Sequence, residues 1–546
     1  FPPTDQYGRP SFKRVLGEVA RIWRNDRGRA NEAVTGIRDR LQQYAAAETQ
    51  AGTIRAQMVA DTVEGLAEAF DFRHGGFGRA PKFPNPGALA VLLDHQIDTQ
   101  LDWSARMVRE TLDAMARGGI YDQMGGGFHR YSTDARWLIP HFEKMAYDNG
   151  PLLEVYARAA AVFASPLYRE ITHGIVEHYE DIAGDLMQAG GFPASQDADY
   201  SPDDDGDYWT WSLEELETAL GRDDAARAVK MFGVEDPGTN MHLDPNRHVL
   251  YRAQEPDAAI KTKLKKTRDR RAAPYIDTSL YSGWVALVAS GFIAAARYTE
   301  HPRALGHAQR ALDRLWREGF DERTGLTHRI GDRSTGEFLE DHAFVAQALL
   351  DLHDVTQDPE TLQRAQQIVD IALNRFQDAS GALRDRARDA AAPAQLLNEP
   401  HYPIADSPTP SANGTMALVL LRMGRLSEAD RILNAFAASA ERLNTAAATY
   451  MRAVDWRTAP TTTVVVVSRD AKDDDLWRAA LRTYRPRTVL RRFIVGSVRA
   501  DTLPPELQAM VTSDAPRAYV CAGRTCAAPV SEAAALERLL VEFRGT

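Results

Sequence analysis

The sequence predicts a mainly α-helical protein in which about six helix hairpins close into a ring, followed by a small α/β unit. Three observations predict it. From Ile54 to about Thr445 the residue pattern is almost wholly helical. Within that span a glycine turn followed by an apolar residue recurs: Gly75-Gly76-Phe77, Gly126-Gly127-Phe128, Gly190-Gly191-Phe192, Gly325-Leu326 and Gly381-Ala382-Leu383. After about Pro460 the pattern changes, beginning with the β-branched run TTTVVVVS.

The turns recur at roughly fifty to sixty residues, long for a common solenoid but suited to two helices and a functional loop per unit. An acidic residue often stands just before the turn: Asp71, Asp122, Asp321 and Asp378. Such units either stack as an open solenoid or close into a ring. Closure buries both end faces and needs no polar capping helix, and none is visible at either end. The longer gap from Gly191 to Gly325 holds two units and an insertion at about Ser212–Ala273.

Residues 1–50 give a Pro/Gly-rich lead and two helices, about Ser11–Arg24 and Asn31–Ala47. Phe1-Pro2-Pro3 reads as the interior of a longer chain. The expected boundaries are 1–50, 51–455 for the ring and 456–546 for the α/β unit. In the last, strands and helices alternate, which implies a mainly parallel sheet. Its first strand is followed by no Gly-rich phosphate loop, which argues against a nucleotide site there.

Bulk composition excludes several classes. The chain has 546 residues, 44% hydrophobic and 26% charged, with a net charge of −11. That is ordinary globular composition, and the charge argues against nucleic acid as a partner. The one basic run, KTKLKKTRDRR at 261–271, reads as a solvated helix or loop. No apolar run approaches the roughly 20 residues of a membrane helix. Only two cysteines are present, Cys521 and Cys526. They form no disulfide framework and lack the spacing of a zinc site, so they read as two free thiols in a reducing, cytoplasmic compartment. The sequence calls for no cofactor and no metal, and it leaves the oligomeric state open.

The chemistry concentrates in GGIYDQMGGGFHRYSTDARWLIPHFEKMAYDNGPL, from Gly118 to Leu152. The loop between its helices carries Tyr121, Asp122, His129, Arg130 and Tyr131, all able to hold a ligand. Pro140–Phe163 reads as a helix, which places His141, Lys144 and Asp148 on one face with Glu143 and Tyr147 beside them. His141 with Glu143 or Asp148 then offers a general acid and base. A second group is GGFPASQDADYSPDDDGDYWTW. Asp197 and Asp199 stand near Tyr208, Trp209 and Trp211, as in a sugar site where rings stack on aromatics and hydroxyls bind acids. A calcium loop fails there, because the first and twelfth positions are Ser201 and Ser212. A third group is GEFLEDHAF, in which Asp341 and His342 follow Glu340 at a helix start; His342 is a candidate second catalytic imidazole.

Each group lies in a glycine-turn loop or in the first turns of a helix close to one. In a closed barrel, loops of one type share an end. Tyr121, His129, Arg130, His141, Glu143, Asp148, Asp197, Asp199, Trp284 and Asp341 are therefore expected to converge on one cavity.

These stretches, together with HGGFGRAPKFP, TPSANG and AYVCAGRTCAAP, resemble the thioredoxin-domain-containing, spermatogenesis-associated family with its bacterial YyaL-type members. The match runs in order along nearly the whole chain. The resemblance implies a thioredoxin-like domain, an (α/α)6 barrel similar to six-hairpin glycosidases and N-acylglucosamine 2-epimerases, and a small C-terminal region. FPPTDQYGRPSFKRVL resembles the end of the thioredoxin-like part, whose cysteine motif would lie upstream of Phe1. The chain departs from the family at TSLYSGW, around Trp284, and at His342, where Tyr is common. The barrel implies a sugar ligand and either hydrolysis or epimerisation, with Asn413 of TPSANG among the binding residues. The rival expectation is a non-catalytic ligand- or client-binding protein, tied to thiol redox through the upstream domain.

Overall fold

The structure is a computed structural model that describes residues 4–5, 8–201, 204, 206–242, 244–389, 400–470, 474–495, 505–511, 515–523 and 525–543. Phe1-Pro2-Pro3, Asp203 and Asp205 lie outside these. In chain order the barrel helices are α3 (Gln57–Ala69), α4 (Pro86–Thr99), α5 (Asp102–Arg117), α6 (Ala146–Phe163), α7 (Pro166–Gln188), α11 (Ser282–Thr299), α12 (Ala304–Gly319), α13 (Leu339–Thr356), α14 (Pro359–Phe376), α15 (Ala412–Arg422), α16 (Leu426–Leu443) and α17 (Ala448–Thr458). Two helices precede them, α1 (Phe12–Asn25) and α2 (Arg27–Glu48). The insertion supplies α8 (Leu213–Leu220), α9 (Arg222–Met231) and α10 (Ala258–Arg268).

Helix packing closes the ring. α4 packs on α6, α6 on α11, α11 on α13, α13 on α15, α15 on α17, and α17 returns to α4. These six form the inner wall, and α3, α5, α7, α12, α14 and α16 lie outside them. The fold is an (α/α)6 barrel. The sequence explains the sorting. α11, α13 and α15 are buried on nearly every side, whereas α5, α12, α14 and α16 bury one stripe and leave a charged face outward. α6 and α11 approach closely because Gly150 faces Leu287 and Gly291 faces the Gly150 carbonyl; a Cβ at either position would lie 2.6–2.7 Å from backbone atoms. All inner helices run the same way, so their N-termini gather at one mouth.

The acidic residue before each glycine turn has a structural reason. Asp71, Asp122, Asp321 and Asp378 each accept backbone N–H groups two or three residues on, closing the turn.

Three expectations are corrected. Pro140–Phe163 is not one helix. Pro140–His141 (β2) pairs with Tyr131–Ser132 (β1), and Lys144–Met145 (β3) pairs with Ser195–Gln196 (β4), which also pairs with Ile276–Asp277 (β5). The helix starts at Ala146. The extended segment lets Lys144 turn inward, where Nζ donates to Asp122 at 2.8 Å and to the Gly126 carbonyl at 2.7 Å. His141, Lys144 and Asp148 therefore share no helical face. The basic run is not simply solvated either. It forms most of α10, and Arg268 is buried with Nη1 2.7 Å from Asp122. Arg271 donates to the carbonyls of Asp207, Tyr208 and Thr210.

The third correction concerns the C-terminal unit. Two short barrel strands, β6 (Phe320–Asp321) and β7 (Gly325–Leu326), pair around one glycine turn. Beyond the barrel come β8 (Thr462–Ser468), α18 (Asp475–Arg482), β9 (Thr488–Ile494), α19 (Pro505–Val511), β10 (Arg517–Ala522), β11 (Thr525–Cys526) and α20 (Ala533–Glu542). The sheet order is β11-β10-β8-β9, with β8 and β9 parallel and the other pairs antiparallel. It is mixed rather than mainly parallel. The β10–β11 hairpin sets Cys521 opposite Cys526, and the two are joined as a disulfide rather than free thiols. With both cysteines in this disulfide, no free thiol points to a reducing compartment. Among the described residues, no helix is long and apolar enough to cross a membrane.

The sheet unit docks on the barrel end opposite the mouth. The Tyr484 hydroxyl donates to Asp94, Arg487 reaches Asp98 at 2.7 Å and also pairs with Asp455, and Arg297 donates to the Leu481 carbonyl at 2.8 Å.

Asp122 holds Lys144 and Arg268 in a site closed to water, and their charges keep its carboxyl well below the usual range despite burial. Asp122→Ala leaves two buried cations unmatched, so chemical denaturation is expected to show a loss of about 3–5 kcal/mol. A loss near that of an exposed turn aspartate would contradict this account.

Candidate functional site at the barrel mouth

Polar side chains in the first turns of three inner helices hold the glycine turns that precede them. Asn149 Oδ1 accepts the Phe128 N–H at 2.7 Å, and its amide donates to the Phe128 carbonyl. His342 Nε2 accepts the Leu326 N–H at 3.0 Å, while Nδ1–H donates to the Phe338 carbonyl. Asn413 clasps Leu383 in the same way as Asn149 clasps Phe128. These buried N–H groups would otherwise lack a partner. His342 and Asn413, expected in catalysis and substrate binding, are thus occupied with the backbone. Burial pushes the His342 imidazole down to about 4, which keeps it neutral.

The mouth opens into a cavity of about 620 Å³. Phe83, Pro84 and the loop Asp406–Pro410 form its rim, and Arg130, Tyr147 and Asp148 form one wall. An arc of contacts runs along that side. Tyr131 packs on Phe83 and stacks on His141, with ring centroids 5.0 and 5.3 Å apart. His141 Nδ1 lies 3.9 Å from Glu143, which pairs with Arg130 at 2.9 Å. Arg130 sits over the Tyr147 ring, and Tyr147 meets Trp284 edge-on at 4.8 Å.

Asp148 is the anomaly on this arc. It lines the cavity, yet its Oδ2 is shielded from solvent and finds no hydrogen-bond partner among the described residues. Burial, reinforced by the charge of Glu143 and only partly opposed by Arg130, pushes its carboxyl up to about 8. The group is substantially protonated at neutral pH.

A second cluster stands beside the first, in the first turn of α13. Asp341 is fully buried and accepts from the Gly283 N–H at 2.8 Å and from His328 Nδ1 at 3.0 Å. Burial disfavours the charged His328 ring, but the hydrogen bond to Asp341 and its charge outweigh this and raise the pKa. Neighbouring Glu340 is pushed up to about 7 by burial and by the Asp341 charge, against the pull of His328. Its carboxylate touches Thr409 of the rim at 3.4 Å. Candidate ligand atoms of His328, Glu340 and Asp341 lie within 4.8 Å of one another, among the described residues the one such group able to hold a metal ion. Both Asp341 oxygens are already engaged, so the arrangement reads first as an imidazole oriented by a carboxylate.

Of the expected residues, Arg130 and Asp148 line the cavity, Tyr131, His141, Glu143, Trp284 and Asp341 stand behind or beside it through the contacts above, and others lie away from it. Tyr121 is buried with its hydroxyl against Gly174. Asp122 is consumed by its turn and by Lys144 and Arg268. His129 is buried, donates to the Phe142 carbonyl, and is pushed down to about 3 by burial and by the Lys144 charge. Trp209 packs on His129 and Phe142 rather than facing a ligand. Asp197 and Asp199 are exposed on a loop, with Asp197 near enough to Glu143 that burial and this charge raise its pKa. The expected convergence is therefore partial.

His328 was absent from the expected set, and the repeat itself locates it. Arg130 lies two residues after the clasped Phe128, and His328 lies two residues after the clasped Leu326. Aligning the units on their clasped residues maps one site residue onto the other.

Fold and site together define an (α/α)6 barrel with a titratable pocket at the N-terminal mouth of its inner helices. No family model matches the chain. Over 99% of its length the chain is similar, at 28% identity, to 77% of human spermatogenesis-associated protein 20. The mouse protein of that name matches at 27% identity over 99% of this chain and 76% of its own. Among solved structures, the cellobiose 2-epimerase of Bacillus thermoamylovorans B4167 covers 71% of this chain with 87% of its own, at a TM-score of 0.44 and 9% identity. A GH76 alpha-mannanase of Bacteroides thetaiotaomicron covers 73% with 95% of its own, at 0.42 and 10%. At these values neither likeness carries the functional argument, which rests on the side chains at the mouth.

Asp148 gives a stability prediction. Its folded pKa, about 8, lies above the ordinary 3.8, so its stabilising contribution is complete below about pH 4 and is lost as pH rises through 8. Asp148→Asn removes this dependence. The melting temperature of the variant relative to wild type is expected to climb between pH 4 and pH 8; a constant difference would show that Asp148 is ionised throughout.

Proposed function

We propose that the protein binds a carbohydrate in the barrel mouth and carries out acid–base chemistry on it. The observation that carries this reading is Asp148, a shielded carboxyl with an unpartnered oxygen, raised pKa and direct access to a cavity. A protonated carboxyl is a general acid poised near neutral pH. Stability alone does not account for it, because an unpartnered buried oxygen costs roughly 1–3 kcal/mol. The cavity volume falls within the roughly 300–1,000 Å³ usual for small-molecule pockets. Aromatic surface from Phe83 and Tyr147 beside Arg130, Asp148 and Thr409 suits a ring with hydroxyls around it.

In this reading Asp148 gives its proton to an oxygen of the bound sugar. His328, held by Asp341, and Glu143 are the candidate bases. Hydrolysis uses the base to take a proton from water; epimerisation uses it to take one from the sugar carbon next to a carbonyl. His141 stacks at the rim as a binding group. The division near residues 50 and 455 is also proposed, supported by ring closure from α17 back to α4 and by the separate core under β8–β10, with the second boundary falling in the last turn of α17. Reading residues 1–50 as the end of a thioredoxin-like domain is also proposed; α1 buries no residue of its own.

The test is a panel of mono- and disaccharides, followed by reducing-end release and by deuterium uptake from solvent. Turnover is expected on at least one member. Asp148→Asn is expected to lower it by about 10²–10⁴, the range of general acid catalysis, with binding within a few fold of wild type. Unchanged turnover would void the acid role. Binding with no turnover by wild type would leave a ligand-binding protein in its place.

A further inference from the structure

The mouth cavity does not end near Asp148. On α6 it is lined by Tyr147, Asp148, Pro151, Glu154, Val155 and Arg158, one helical stripe. At 1.5 Å per residue that stripe descends about 16 Å into the barrel. At the bottom the cavity meets a smaller chamber of about 90 Å³, and the two share Glu154, Arg158, Gln347, Leu418 and Arg452. The same tier of side chains floors the cavity and roofs the chamber. Below that tier the chamber is closed by Tyr484, Arg485, Pro486 and Arg487 of the C-terminal unit. Ion pairs lock this end: Arg158 with Glu154, Arg452 with Asp94 at 2.9 Å, and Arg422 with Asp351 at 2.7 Å and Asp354 at 3.0 Å.

Within the tier Gln347 is unlike its neighbours. The charged groups pair with one another, whereas the Gln347 amide, on the inner helix α13 and lining both chambers, has no hydrogen-bond partner among the described residues. Arg158 Nε, beside it in the tier, is buried and also unpartnered. An inner-helix amide at the foot of a closed shaft, with donors and acceptor free, is placed to read the polar end of something that enters from the mouth.

We infer that the bore is an end-binding subsite: it takes the terminus of a short oligosaccharide, whose last ring rests on Gln347 and Arg158, and it excludes a chain that would run through the barrel. This rests on the carbohydrate reading of the mouth. The depth below Asp148 then sets how many rings lie past the reacting position, and Gln347 is a specificity-determining residue.

The 546-residue chain is titrated by calorimetry with two linear series, cello-oligosaccharides and α-1,6-linked manno-oligosaccharides, each from the monosaccharide to the hexasaccharide. Within a series that binds, affinity is expected to rise from the monosaccharide to the di- or trisaccharide and then to stay within twofold. Gln347→Leu, checked for an unchanged melting temperature, is expected to weaken the trisaccharide at least tenfold. Affinity that keeps climbing to the hexasaccharide overturns end binding and leaves the carbohydrate reading standing. A plateau that Gln347→Leu does not alter overturns the role of Gln347. Failure of both series to bind wild type overturns the carbohydrate reading itself.

Discussion

The grip of a polar side chain in the first turns of an inner helix on the glycine turn before it is the constraint on which the mouth depends. Asn149, His342 and Asn413 each accept a backbone N–H that the turn leaves unpaired. The aspartate before the turn satisfies others. Together they fix where each hairpin stops and where its inner helix starts. Because inner helices run the same way around a closed ring, fixing their starts fixes the mouth, and residues far apart in sequence come to face one cavity. The next residue but one after two of the clasped positions, Arg130 and His328, is then brought to the same end of the barrel.

Charge is treated differently at different depths, and this separates structure from site. Under the glycine loop, Lys144 and Arg268 are buried and both pair with Asp122. At the far end, arginines and carboxylates pair in a network that also holds the C-terminal unit. At the mouth the matching stops. Asp148 has an unpartnered oxygen, and Glu340 sits beside a second buried carboxylate, offset by His328 and a hydrogen bond from Thr409. What sets Asp148 apart is that its unpartnered carboxyl belongs to a residue lining the cavity, and such groups are candidates for work on a ligand.

The ring was legible because glycine turns and aspartates repeat in sequence, and both have local causes. The alternation after Pro460 was legible for the same reason, but strand direction was not, since it depends on which strand pairs with which. The site was read in part. Arg130, Glu143 and Asp148 were visible as a dense group of ionisable residues beside a turn. His342 and Asn413 looked equally chemical, yet a residue that clasps backbone and one that faces a cavity carry the same letters. Tertiary contacts overrode the helical pattern of HFEKMAYD, because Lys144 had to reach Asp122. The basic run hid Arg268, whose partner lies far away in sequence. Gln347 carried no signal, as a single glutamine on an apolar helix means nothing until the bore is seen.

The account turns on one protonation state. Carbon-13 NMR of aspartate carboxyls, with Asp148 assigned by its loss in Asp148→Asn, follows that state directly through a pH titration. A midpoint near pH 8 is predicted, with the carboxyl still largely protonated at pH 7. A midpoint near 4, the ordinary aspartate value, would contradict it.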